Sequence, residues 1–114
     1  MTPPARVERQ PRSACVQPYD DVRGCVRETL DAEGMAWASG AWDCIITHES
    51  AWNPWATGRA GERGLTQVHP VWFGTFDASR LYDPDYNVRA AVTIWRAAGS
   101  SWRPWSTARG CGLR

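Results

Sequence analysis

The sequence predicts a small, mainly α-helical single domain, and three observations carry that expectation. At 114 residues the chain can bury one core and leaves little material for a second. Apolar residues recur at helical spacing in three separate stretches, while no stretch carries more than a weak strand pattern. Each of the three runs into a glycine or an Asn-Pro step, the residues at which helices stop.

The elements follow in order. Residues 1–17 are rich in Pro and Arg and lack periodicity, so they read as a flexible or extended arm, with 18–114 as the folded domain. Asp20 is expected to cap a first helix in which Val22, Val26, Thr29, Leu30 and Glu33 share a face and Gly34 ends the run. Ser39 is expected to cap the second helix, with Asp43 in its first turn, where negative charge suits the helix dipole. Along that helix Trp42, Ile45, Ile46 and Glu49 fall at i, i+3, i+4 and i+7, which puts a carboxylate at the C-terminal end of the buried stripe. Asn53-Pro54 is the expected stop, because proline disfavours helical geometry in the residue before it. From Trp55 to Gly64 the composition is loop, and Pro70–Phe76 reads as a short helix. Asp83-Pro84 marks the start of a third helix whose buried face is Val88, Ala91, Val92 and Trp95, with Gly99 at its end. The aromatic stretch from Ser101 to Ser106 has no regular pattern.

Composition excludes several functions. Formal net charge is +1 and every basic residue is an arginine, spread without a run, so nucleic acid is not an expected partner. No stretch is long and apolar enough to insert in a membrane. Residues 1–12 hold no apolar segment of the kind that directs secretion. The four cysteines, Cys15, Cys25, Cys44 and Cys111, show no CxxC spacing, and neither a metal nor a cofactor is expected. Three disulfide connectivities are open to them; at least one bond is expected, and Cys44 in the second helix with Cys111 near the C-terminus is the favoured pair. His48-Glu49 begins a zinc-protease motif, but Trp52 stands where the second histidine would be. No G-x-S-x-G surrounds Ser50, and no glycine-rich phosphate loop follows a strand.

Glu49 therefore carries the chemical question. Glutamates at helix ends usually face solvent. Held against apolar surface instead, a carboxyl has its charged form disfavoured and keeps its proton to higher pH, as a general acid requires. Glycosidic cleavage needs such an acid to protonate the leaving oxygen. Eight tryptophans are too many and too large to be entirely core in a chain this short, so some are expected to line a surface groove, while Trp42, Trp95 and Trp37 are assigned to the core.

The neighbours of Glu49 are similar to a known pattern. Glu49-Ser50, Asn53-Pro54 and Ala56, then Gly64-Leu65-Thr66-Gln67 and Pro70, resemble the soluble lytic transglycosylase domain, and Leu81-Tyr82-Asp83-Pro84 with Asn87 resembles the start of its next helix. The likeness spans roughly residues 20–98 and extends to goose-type lysozymes and resuscitation-promoting factors, which share the lysozyme-like fold. It implies an enzyme acting on peptidoglycan glycan strands at the β-1,4 bond between N-acetylmuramic acid and N-acetylglucosamine. Glu49 would be the catalytic acid, Gln67 would bind the acetamido sugar, and Ser50, Thr57, His69 and Trp102 would be further substrate contacts.

The chain also departs from that pattern. Thr66 replaces a methionine, and Gly58 stands where a substrate-contacting serine is frequent, with Thr57 the nearest hydroxyl. A later A-Y-N-A-G motif is missing, and Trp102 or Trp105 is expected to stand in for its tyrosine. Glu62 is the only acid in the loop after Glu49 and the candidate second carboxylate. With Glu62 silent, the expected product is a 1,6-anhydro end; with Glu62 activating water, the chain would be a goose-type hydrolytic muramidase. The rival of another class is a non-catalytic wall-binding or structural module of a virion, with other virion proteins as partners. Small size without a secretion signal suggests a phage protein, either virion-associated or an endolysin released to the bacterial wall from the host cytoplasm.

Overall fold

The computed structural model describes residues 13–114. Three α-helices, α1 (Val22–Ala32), α2 (Ser39–Ser50) and α3 (Pro84–Ala97), are joined by loops carrying 3-10 turns at Ala36–Ala38, Pro70–Trp72, Ala78–Tyr82 and Ser106–Cys111. Extended pairing among the described residues is confined to two isolated bridges, Thr57 with Arg63 and Arg63 with Val68. The domain is mainly helical, as expected.

Residues 1–12, most of the expected arm, lie outside the described residues. Residues 13–15 are fastened to α1: Ser13 Oγ and the Ala14 amide donate to the Glu28 carboxylate, and Cys15 is disulfide-bonded to Cys25. The cap of α1 is Asp21 and not Asp20; its carboxylate accepts from the Gly24 amide at 2.8 Å, the reach of a cap side chain to the third helical residue.

α2 differs from expectation at both ends. The 3-10 turn Ala36–Ala38 runs straight into it, so Ser39 lies inside the helix and caps nothing. Asp43 sits beyond the first turn and pairs with Arg23 of α1 at 3.2 Å. The helix ends at Ser50, before Asn53-Pro54 can act, because Ala51 (φ 50°) and Trp52 (φ 66°) both turn left-handed. Such backbone costs a non-glycine residue of order 1–3 kcal/mol. Trp52 offsets the cost: its indole N–H donates to Thr47 Oγ1 at 3.0 Å, and the Arg23 guanidinium lies 4.1 Å over its ring.

α3 begins at Pro84 as expected, with an extended Asp83 before it. The Asp83 carboxylate does not cap the helix; it accepts from the Tyr19 hydroxyl at 3.2 Å and stands 3.8 Å from Arg80. α1 packs along α3, and Arg96 of α3 binds both the carbonyl and the carboxylate of Glu33.

The core gathers Trp42, Ile45 and Ile46 of α2 with Leu65, Leu81, Val88 and Val92. Trp102 and Trp105 close it, meeting the Trp42 ring nearly edge-on at 4.8 and 5.2 Å. Trp37, assigned to the core from sequence, is 70% exposed and meets the Trp95 ring edge-on with centroids 6.0 Å apart. The C-terminal stretch is held down by its own 3-10 turn, Ser106–Cys111, and by the Cys44–Cys111 disulfide to α2. Closing a chain separation of 67 residues stabilises the fold by about 4 kcal/mol on the loop-entropy account. No helix among the described residues is long and apolar enough to cross a membrane.

Candidate active site

Glu49 lies one turn beyond Ile45 and Ile46 on α2, where the buried stripe reaches the surface, and its side chain is half-buried. Burial pushes its carboxyl above the ordinary glutamate range; the Thr107 hydroxyl, which donates to Oε1 at 2.9 Å, opposes the rise, the Glu62 charge adds to it, and the electrostatic influence of His48 lowers it. Thr107 arrives from 58 residues away on the 3-10 turn that the Cys44–Cys111 disulfide fastens to α2. Thr107→Val should remove that donor at nearly constant volume. The Glu49 carboxyl should then titrate at still higher pH, read from its carbon chemical shift in an NMR pH series; an unmoved titration would mean the hydroxyl does not bear on the charge.

The loop that faces Glu49 in charge is built around one buried side chain. Asn87 of α3 uses its whole amide: Oδ1 accepts from the Thr66 amide and hydroxyl at 3.0 and 2.7 Å, and Nδ2 donates to the carbonyls of Arg63 and Leu81 at 3.0 and 2.9 Å. Gly64 sits against this clamp at φ +78°, and a Cβ there would stand 2.1 Å from the Leu81 carbonyl oxygen and 2.4 Å from Asn87 Nδ2. Only glycine meets both demands. Thr66, which stands where the resemblance leads one to expect a methionine, is fully buried; its hydroxyl belongs to the same clamp and its carbonyl accepts the Trp105 indole N–H at 3.0 Å.

The clamp presents Gln67. Its Nε2 donates to the carbonyls of Ala56 and Gly64 at 3.0 and 2.9 Å, which orients the amide and leaves Oε1 as an acceptor over Gly58. The Glu62 carboxylate shares that space: Oε1 accepts from the Ala60 amide at 2.8 Å, and a Cβ on Gly58 would stand 2.3 Å from Glu62 Oε2 and 2.6 Å from Gln67 Oε1. The glycine at this position has a local reason: Glu62 and Gln67 occupy the volume that a serine side chain would need.

Glu62 is half-buried, and Arg63 beside it in sequence is engaged elsewhere. Arg63 donates to the Ala78 carbonyl and lies over Phe73 and Tyr82, and no ion pair found among the described residues includes Glu62. Glu62 and Gln67 thus share the space over Gly58, and the Glu62 charge reaches Glu49.

The remaining candidates are placed differently. Ser50 Oγ donates to the Ile46 carbonyl inside its own helix. Thr57 Oγ1 and the Tyr82 hydroxyl share a 2.6 Å hydrogen bond beside an exposed shelf in which Trp55, 64% exposed, stacks on Tyr82. His69 is exposed, and its Nδ1 accepts the Val71 amide at the start of a 3-10 turn. Trp102 is 8% exposed and packs its ring against Trp42 and Trp95, and with Trp105 it lines a cavity whose other walls come from the C-terminal stretch, Arg103, Ser106 and Arg109 among them. Thr107 was not visible as a site residue in the sequence. The only hint was the expected Cys44–Cys111 bond, which brings its turn to α2.

Residues 37–108, more than half of the chain, fit the family model described as Transglycosylase SLT domain. No curated protein and no solved structure matches the chain.

Proposed function

Because the chain belongs to the transglycosylase SLT domain family, whose members are lytic transglycosylases acting on peptidoglycan, we propose that it cleaves the N-acetylmuramic acid to N-acetylglucosamine bond with Glu49 as general acid and then base. It is an enzyme of the lysozyme-like glycosidase kind. The observation that carries the residue assignment is the Glu49 carboxyl itself: half-buried at the end of an apolar stripe, kept protonated to higher pH by desolvation, yet open to the surface.

In the proposed reaction Glu49 gives its proton to the glycosidic oxygen as the bond from C1 breaks. The acetamido group of the same sugar stabilises C1, with its N–H donated to Gln67 Oε1, the free acceptor over Gly58. The Glu49 carboxylate then takes the proton of the C6 hydroxyl as that oxygen closes on C1, giving a 1,6-anhydro end. Trp55 stacked on Tyr82 offers an exposed flat face for a further ring. The two disulfides suit work in an oxidising setting such as the cell wall, reached from a phage particle or as an endolysin.

A second reading rests on Glu62, which is half-buried, has no ion pair among the described residues and is near enough for its charge to act on Glu49. In that reading Glu62 activates water and the product is a reducing end. Mass spectrometry of muropeptides released from purified walls separates the two. The anhydro route predicts fragments lighter by one water that resist borohydride, and a Glu62→Gln variant that keeps most of the rate. Reducible fragments with the rate lost in Glu62→Gln would establish hydrolysis, and walls left turbid by the purified chain would favour a binding module.

A further inference from the structure

Cys44 and His48 stand one turn apart on α2, and helical i, i+4 spacing puts them on one face. Cys111 ends the 3-10 turn packed on that helix. The two Sγ atoms and a ring nitrogen of His48 all lie within 4.8 Å of one another. His48 is exposed, and neither cysteine of the disulfide is fully buried. No other three-donor group of this kind is present among the described residues, and the buried Cys25 with its partner Cys15 belongs to none.

We propose that opening the Cys44–Cys111 disulfide with a thiol reductant converts Cys44, His48 and Cys111 into a three-ligand site for one zinc ion. In the reduction two reductant thiols become a disulfide while the protein bond takes up two electrons and two protons. Zinc then replaces both thiol protons, which leave to solvent, and the neutral His48 ring donates its lone pair. Tetrahedral zinc with thiolates at about 2.3 Å and imidazole at about 2.0 Å needs its donor atoms roughly 3.4–3.8 Å apart. Side-chain rotation across a Cα–Cα span of 6.0 Å supplies that separation without moving the helix or the turn. Water fills the fourth position. The metal thus replaces the disulfide as the tether of the Ser106–Cys111 turn, and Thr107 stays on Glu49 in a reducing compartment as well as an oxidising one.

The test uses the full chain reduced with a phosphine and titrated anaerobically with cobalt(II) as a coloured stand-in, then with zinc. One equivalent of cobalt should bring thiolate-to-metal charge-transfer bands and tetrahedral d–d bands, both abolished by one equivalent of zinc, and the oxidised protein should show neither. Zinc should also raise the melting temperature of the reduced chain. His48 is exposed, so His48→Ala leaves the fold undisturbed and isolates the site: it should lose the tetrahedral bands and the thermal shift, as should Cys111→Ser. Absence of the bands in the reduced wild type, or bands that persist in His48→Ala, would overturn the assignment.

Discussion

Glu49→Gln is expected to lower wall-clearing activity by ~100-fold or more, with helical circular dichroism unchanged. The substitution keeps the shape of the side chain and an acceptor for the Thr107 hydroxyl, and removes the only transferable proton at the end of the α2 stripe. A variant that retains most of the rate would end the assignment of Glu49 as the acid. Stability should move the other way. A carboxyl whose folded pKa is raised stabilises the fold most below its unfolded pKa, and that contribution is lost as pH rises through the folded value. Above that window the wild type bears a partly desolvated charge that the amide lacks. The variant should therefore melt at the wild-type temperature or higher near neutral pH, with the difference shrinking on acidification.

Asn87→Ala is expected to cost about 4 kcal/mol or more, a large share of the 5–15 kcal/mol typical of a domain. It leaves the Thr66 amide and hydroxyl and the carbonyls of Arg63 and Leu81 without their partner in a site closed to solvent. Asn87→Asp separates hydrogen bonding from volume. It keeps the acceptor for Thr66 but turns a carboxylate oxygen towards two carbonyls, so it should be nearly as damaging at neutral pH and recover in part in acid, where the protonated group can donate to one of them. Urea unfolding at two pH values measures both. A loss below 1 kcal/mol for Asn87→Ala would show that the clamp does not hold the loop. Because the same loop presents Gln67 and Glu62, activity should fall in both variants even at temperatures where they remain folded.

Three helices, their approximate limits and the stripe Trp42, Ile45, Ile46, Glu49 were legible in the sequence, because amphipathic spacing and Gly or Pro breaks act within a few residues. The family was legible too, since a motif of several residues around Glu49 carries the likeness, and the family model that matches residues 37–108 bears that membership out. Tertiary packing decided the rest. The left-handed exit of α2 at Ala51 and Trp52 depends on Arg23 and Thr47 being present to hold Trp52, which no local rule anticipates. Which tryptophans are core was set by the disulfide-bound C-terminal turn: it drew Trp102 and Trp105 inward, while Trp37 stayed out. The partner of Glu49 comes from Thr107, and the space over Gly58 is shared by Glu62 and Gln67, contacts made only once distant segments meet. Local pattern determines where a helix can form and which face it buries; the environment of a charge depends on whatever chain is folded against it, and that is a property of the whole domain.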